Sequence, residues 1–127
     1  MTTTPFKPGF YTTKAPASSV AGDWRLAGWT ARILRLPEDL GKDPRKTVLQ
    51  SLGTALRFPE YYGANLDALD ECLRDLDAPT VLVWMNGGTF ADEHSAVWSK
   101  ISDVLTDRVK AQPPFAVVLA GGEKKGL

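Results

Sequence analysis

The densest charge in the chain is a short acidic segment. Residues 60–77 carry six carboxylates and one basic side chain, Arg74, whereas residues 1–59 carry nine basic and four acidic side chains. Asp67 and Glu71 stand four residues apart and would lie side by side on a helix. Such a pair could be the acid and base of glycoside hydrolysis, or it could bind cationic side chains of a partner. An exposed helix face offers no cleft for a substrate, so binding is the preferred interpretation.

A purely structural explanation of these acids accounts for only some of them. Acidic residues stabilise the N-terminal end of a helix, which would explain Asp67 as part of a solvated face. The same dipole disfavours Asp75 and Asp77 near the other end. Arg74 can pair with Asp70, one turn away, and this pairing relieves part of the excess charge. The acidic segment is therefore a candidate binding surface.

Other reactive groups are few. Cys72 and His94 are the only cysteine and histidine, and they could form a thiol nucleophile with its base. Cys72 falls on the apolar face of its helix, however, and is predicted to be a core residue. The two residues cannot build a disulfide framework or a Cys/His zinc site. Basic residues before position 60 form no cluster in the sequence, so a solvated surface is preferred to contact with RNA phosphates. We expect no enzyme activity, no cofactor and no direct nucleic-acid binding.

Length and composition indicate one ordinary globular domain. The chain has 127 residues, is 43% hydrophobic and 24% charged, and has no net charge, all typical of a soluble domain. Its longest uncharged apolar stretch, residues 80–90, is too short to span a bilayer. The first ten residues lack the hydrophobic centre of a signal peptide. We therefore expect a protein of the reducing cytoplasm without membrane association.

The elements that would position the acidic segment follow from apolar spacing and from helix caps. Three apolar runs are predicted strands: residues 30–36, 80–85 and 115–120. Asp43 and Asn65 are predicted N-caps, and Pro44 fits the first position of a helix. Residues 91–111 are predicted to form one long amphipathic helix. Helical crossovers between apolar strands predict parallel pairing. The predicted fold is a small α/β domain, with a three-stranded parallel sheet packed with α-helices.

The beginning of the chain differs in composition from the rest. Residues 1–28 are rich in Thr, Pro, Ala, Ser and Gly, and residues 1–8 are predicted to be disordered. A short extended segment is expected at Phe10 and a short helix ending near Ala27. The predicted divisions are an N-terminal extension at residues 1–28, a domain at residues 29–121 and a polar tail at residues 122–127.

A tyrosine loop precedes the acidic helix. Tyr61 and Tyr62 cannot both point inward from one short loop, so one ring is expected at the surface, where it could contact a partner. Gly63 is expected to permit a positive φ before the helix. The loop and the helix together are the candidate site.

The run PEYYGANLDALDECL, residues 59–73, resembles the signature of the barstar family, the inhibitors of barnase-type ribonucleases. The family pattern is roughly PEYYGxNLDAL, two variable positions and CL, and the resemblance extends over about residues 29–120. It implies a barstar-like fold and an intracellular inhibitor without enzyme activity. In that family the acidic helix and the loop before it plug the active site of a secreted ribonuclease. The carboxylates take the place of substrate phosphate against cationic side chains.

The resemblance also implies roles for individual residues. Tyr61 would pack against the wall of the enzyme's active site, Gly63 and Asn65 would offer backbone and side-chain contacts, and Asp67 would be the first helix carboxylate. Glu71 falls where the family has its principal carboxylate. The expected partner-binding residues are Tyr61, Tyr62, Gly63, Asn65, Asp67, Asp70, Glu71, Arg74 and, as a peripheral acidic contact on the last helix, Asp107.

Three positions depart from the family pattern. Glu71 stands in place of an aspartate, Asp70 in place of a tryptophan, and Arg74 at a threonine position, where it brings positive charge toward a basic enzyme. The expected target is therefore a related secreted ribonuclease, guanyl-specific or barnase-like, bound by a monomer in a 1:1 complex. The alternative keeps the fold and changes the partner: an immunity protein or inhibitor directed at a non-ribonuclease cationic toxin or enzyme.

Overall fold

The computed structural model describes residues 6–60 and 62–122. This part of the chain forms four strands, β1 (Gly9–Pro16), β2 (Thr30–Leu34), β3 (Thr80–Met85) and β4 (Phe115–Gly121). Its helices are α1 (Ala17–Leu26), α2 (Pro44–Leu56), α3 (Leu66–Arg74), α4 (Gly87–Glu93) and α5 (Ser95–Val109). No helix among these residues combines the length and the apolar character that crossing a membrane needs.

All four strands belong to one parallel sheet in the order β1-β4-β3-β2. The predicted α/β class and the parallel pairing are confirmed, but the predicted number of three strands is wrong. The fourth strand, β1, pairs with β4 and places Phe10 opposite Val117 and Thr12 opposite Leu119. Its residues alternate between half-buried and exposed, which is a weak apolar signal, and its partner lies about 100 residues later in the chain. Only tertiary packing could identify it.

Helices cover both faces of the sheet. On one face, Val20, Ala21 and Trp24 of α1 pack against β2, β3 and β4. On the other face, α2, α3, α4 and α5 enclose a larger core around Trp84 and Phe115. The central strands β3 and β4 are buried on both sides, as their continuous apolar sequences predict. Helix α3 lies on the second of these faces, where it packs against α5 and α2.

The segment before Trp29 is part of this packed structure. The extended segment expected at Phe10 and the short helix expected near Ala27 are both present, as β1 and α1. Phe6 packs edge-on against Trp24, with ring centroids 5.1 Å apart. The disorder expected at the chain start falls mostly on residues 1–5, which lie outside the described residues. Residues 123–127 of the predicted polar tail also lie outside them.

Local signals placed most helix ends correctly. Asp43 is the N-cap of α2, and its Oδ1 accepts a hydrogen bond from the Lys46 backbone N–H at 3.2 Å. The single helix predicted at residues 91–111 is instead two helices that meet at His94. The first of them, α4, begins at Gly87, before the predicted start. A Cβ at Gly87 would stand 2.7 Å from the Leu119 side chain, so only glycine lets α4 lie this close to β4. Strand β2 ends at Leu34, two residues before its predicted end.

Candidate partner-binding site

Helix α3 separates its apolar and acidic residues onto opposite faces. Leu69, Cys72 and Leu73 are buried in the core, whereas Asp67 and Glu71 are exposed. The two carboxylates are four residues apart, so they project side by side from the same face. The predicted apolar stripe is confirmed, and the acidic residues it leaves outside face solvent.

The charges on this face are only partly neutralised. Arg74 donates a hydrogen bond to the Asp70 carboxylate, as its i, i+4 spacing predicted. This bond, with the negative charge of Asp70, holds the pKa of Arg74 above its ordinary value. Among residues 6–60 and 62–122, no basic side chain lies within 4.0 Å of Asp67 or Glu71. These two carboxylates are therefore available to a cationic partner.

Cys72 belongs to the core and not to a reactive site. Its side chain is 5% exposed and carries a free thiol. Burial raises the pKa of this thiol, and the nearby negative charges of Asp75 and Glu71 raise it further. A thiol kept protonated is a poor nucleophile. His94, the other half of the considered pair, stacks on the Phe90 ring at 5.2 Å.

Asn65 fixes the start of α3. It is the N-cap, and its Oδ1 accepts a hydrogen bond from the Ala68 backbone N–H at 2.8 Å. The positive φ of this turn occurs at Ala64, at 51°, so the expectation that Gly63 would supply it was wrong. Gly63 has a different role, because a Cβ there would stand 3.1 Å from Asn65 Nδ2. The glycine thus makes room for the capping side chain.

Tyr62 points inward from the loop. Its hydroxyl donates a hydrogen bond to the Leu49 carbonyl oxygen of α2 at 2.9 Å, and its ring packs edge-on against Phe58 at 5.0 Å. Burial, and to a lesser degree the Cys72 thiol, raises the pKa of Tyr62 above its usual range. Tyr61 lies outside the described residues, so its contact with a partner stays a prediction. Tyr62 anchors the loop to α2.

Gly53 on α2 provides the space that Tyr62 occupies. A Cβ at Gly53 would stand 2.6 Å from two carbons of the Tyr62 ring, closer than any ordinary contact. The absence of a side chain at this buried helical position therefore lets the loop pack directly on α2.

We expect Gly53→Ala to lower the free energy of unfolding by about 1–3 kcal/mol, because the added methyl displaces the Tyr62 ring. The matched control is Gly22→Ala in α1, where a Cβ would meet nothing within 4 Å. That change should raise the free energy of unfolding by about 0.5–1 kcal/mol, the usual gain when alanine replaces a helical glycine. Urea unfolding of both variants measures the difference. Equal stabilisation of both would show that Tyr62 does not pack tightly on Gly53.

Tyr62 also predicts a loss of stability in alkaline solution. The pKa of Tyr62 in the folded protein lies above its value of about 10 in the unfolded chain. The contribution of Tyr62 to the free energy of unfolding is therefore complete below about pH 10, and it decreases as the pH rises toward the pKa of the folded protein. We expect Tyr62→Phe to lower stability at neutral pH by about 1 kcal/mol through the lost hydrogen bond and to make the alkaline decline less steep. Tyr11→Phe on β1 retains Tyr62 and should retain the decline. Chemical unfolding between neutral and alkaline pH provides the test, and unchanged steepness in Tyr62→Phe would contradict it.

Arg108 holds the other end of α3, and the sequence analysis did not single it out. This α5 residue is 3% exposed. Its Nε donates a hydrogen bond to the Leu73 carbonyl oxygen at 2.7 Å, and its guanidinium lies 5.4 Å from the centre of the Phe115 ring. A cation at the C-terminal end of a helix also interacts favourably with the helix dipole. The spacing of Arg108 could have predicted its burial, because Arg108 lies on the same helix face as the buried residues Ile101 and Leu105 of α5.

Asp107, the expected peripheral contact, precedes Arg108 on α5 and is exposed, so its contact with a partner stays a prediction. At the opposite end of α3, a groove of about 560 Å³ separates the loop from the start of α2, with Gly63, Asn65 and Asp67 on one side and Arg45 on the other. A projecting side chain of a partner could enter there and reach Asp67.

Comparison with known proteins identifies the family of this chain. Residues 32–120 match the family described as Barstar (barnase inhibitor). The match covers well over half of the chain, so this protein belongs to the barstar family. A relative from Bacillus subtilis (strain 168), named "Putative ribonuclease inhibitor YrdF", is 40% identical over an alignment of 63 residues. The match covers 43% of this chain and 69% of the relative.

Proposed function

We propose that this protein is an inhibitor of a secreted, barnase-like or guanyl-specific ribonuclease and acts in the cytoplasm of the producing cell. Helix α3 and the tyrosine loop would cover the active site of the enzyme in a 1:1 complex. The family description and the name of the Bacillus subtilis relative both support inhibition of a ribonuclease. The protein itself would perform no chemistry.

One observation carries the proposal: Asp67 and Glu71 are exposed, lie one helical turn apart and have no basic group within 4.0 Å among the described residues. A ribonuclease active site is cationic because it binds the phosphate of RNA. Carboxylates form short, charge-assisted hydrogen bonds with guanidinium and ammonium groups. The acidic face would therefore occupy the position of the substrate phosphate.

The rigidity of the site supports tight binding. Asn65 caps the first turn of α3, Arg108 bonds the last turn, and Tyr62 attaches the preceding loop to α2. A surface that is already ordered loses little conformational entropy when a partner binds. The carboxylates can thus be presented without rearrangement of the helix.

Arg74 places a positive charge on the face that would meet a cationic enzyme, and its ion pair with Asp70 reduces the resulting repulsion. The guanidinium of Arg74 is bonded to a carboxylate of its own helix, so its charge would meet the enzyme already partly neutralised. Asp70, which stands at a tryptophan position of the family pattern, supplies that carboxylate. The two departures therefore compensate each other, and we propose that they adapt the surface to a target other than barnase.

A titration of RNA cleavage tests the proposed function. Purified protein would be added to a panel of secreted microbial ribonucleases, barnase included, with a fluorogenic RNA substrate. We expect activity of at least one enzyme to fall to zero at one equivalent, with weaker inhibition at high salt because screening reduces the attraction between the charged faces. No inhibition across the panel would reject the proposed class of target.

The second candidate is an immunity protein or inhibitor for a cationic enzyme that is not a ribonuclease. Glu71, Asp70 and Arg74 favour it, since all three depart from the family pattern at the centre of the site. Affinity capture on the immobilised protein, with Glu71→Ala as the control surface, distinguishes the candidates. A captured protein that cleaves no RNA and fails to bind the control would support this alternative.

A further inference from the structure

A pocket of about 220 Å³ lies at the carboxyl ends of β2 and β3. Its apolar lining comes from the segment after β2, from the end of β3 and from α4, and includes Leu36, Leu40, Met85 and Phe90. None of its lining residues belongs to α3 or to the tyrosine loop. Open parallel sheets bind small ligands outside the carboxyl ends of their strands. The pocket is therefore a second candidate site, separate from the acidic face.

The wall that α4 contributes to this pocket is held in place by stacked rings. The Phe90 side chain is 5% exposed, and its ring stacks on Trp84 with centroids 5.1 Å apart. The His94 ring stacks on Phe90 at 5.2 Å, and Trp84 itself is fully buried in the core. Sites for small ligands are usually formed before the ligand arrives, and this wall meets that condition.

Two carboxylates line the same pocket. Glu38 lies in the segment after β2, Glu93 ends α4, and both side chains are exposed. Within residues 6–60 and 62–122, no basic side chain lies within 4.0 Å of either carboxylate. Like charges that share one pocket repel each other, and a cation bound between them would relieve that repulsion. The pocket thus combines an apolar wall with negative charge that has no bonded counter-charge from these residues.

The lining and the volume of the pocket restrict the kind of cation. Among the residues that the structure describes, no three His, Cys, Asp or Glu side chains form a group that could hold a metal ion. A hydrated metal ion would also leave the apolar wall without a contact. Pockets for drug-sized molecules have volumes of roughly 300–1,000 Å³, so this one suits a single ring or a short chain. Ammonium and amidinium groups form charge-assisted hydrogen bonds with carboxylates.

We propose that this pocket binds a small organic cation, an amine or amidine with a compact apolar body. Glu38 and Glu93 would bond the cationic group, and the apolar body would pack against Leu40 and Phe90. The inference does not rest on inhibition of a ribonuclease, because the pocket lies outside α3 and binding is measured with this protein alone.

Protein-detected NMR with benzamidine as the probe tests the inference on the full chain. We expect saturable shifts of the amides at residues 36–40 and 85–94, without comparable shifts along α3. The double variant Glu38→Gln/Glu93→Gln should weaken binding at least fivefold. The matched control, Asp92→Asn/Asp103→Asn, removes two exposed carboxylates of α4 and α5 that do not line the pocket and should change binding less than twofold.

Two further measurements separate the possible outcomes. Benzamide has nearly the same shape as benzamidine but no charge, so it should bind the natural protein at least fivefold more weakly, a comparison that needs no variant. Magnesium chloride should displace benzamidine no more than sodium chloride does at the same ionic strength. Absence of saturable shifts, shifts confined to α3, equal losses in the glutamine pair and its control, equal binding of benzamide, or specific displacement by magnesium would each overturn the proposal.

Discussion

Replacing Glu71 by alanine should weaken inhibition of the cognate ribonuclease at least about 30-fold, a loss of about 2 kcal/mol that marks an interface hot spot. The side chain is exposed on α3, it lies beside Asp67, and no basic residue within the described chain pairs with it. Its carboxylate has no bonded counter-charge among these residues and is therefore available to a cationic partner. The inhibition constant, measured by titration of RNA cleavage, gives the size of the effect.

Two variants show whether the charge and position of Glu71 cause this loss. Glu71→Gln retains the shape of the side chain and removes its charge, so it should lose most of the affinity that Glu71→Ala loses. Asp92→Ala removes another exposed carboxylate, from α4, and should change the inhibition constant less than about threefold. Equal small effects of Glu71→Ala and Asp92→Ala would reject Glu71 as the anchor of the complex.

Replacing Arg108 by alanine should lower the free energy of unfolding by about 3 kcal/mol. The change removes the charge-assisted hydrogen bond to Leu73, worth about 1.5–3 kcal/mol, and it leaves a cavity between α5 and the Phe115 ring. The end of α3 would then lose its hydrogen bond to α5. Urea unfolding measures the stability, and hydrogen exchange of the α3 amides measures the local loosening.

Two other variants separate the hydrogen bond from packing. Lys100→Ala removes an exposed cation from the same helix and should change stability by less than about 0.5 kcal/mol. Arg108→Met fills much of the same volume without a donor, so it should remain less stable than the natural protein. Because burial of a guanidinium is itself costly, a methionine variant of equal stability would show that packing alone holds α3.

These two predictions concern two different properties of the proposed site. Under the proposed function Glu71 would supply charge and Arg108 would supply order, because a carboxylate contributes most when its helix does not move. A comparison of the two alanine variants can distinguish these roles. Glu71→Ala should weaken inhibition without loss of stability, whereas Arg108→Ala should lower stability and weaken inhibition only to the extent that α3 loosens.

Features that depend on neighbouring residues were predictable from the sequence. The caps Asp43 and Asn65, the apolar stripe of α3 and the pair between Arg74 and Asp70 all follow from interactions within one or two helical turns. Burial of Cys72 followed from the same spacing. The motif at residues 59–73 identified the family, which comparison with known proteins confirms.

Features that depend on distant parts of the chain required the tertiary structure. Strand β1 is a strand because β4 pairs with it, and Tyr62 points inward because Gly53 leaves space on another helix. Arg108 has the same explanation: its sequence neighbours describe a polar helix end, and only the packing of α5 on α3 gives it an acceptor. Hydrogen bonds and apolar spacing within a helix are set by local sequence, whereas contacts between elements distant along the chain are set by the fold as a whole.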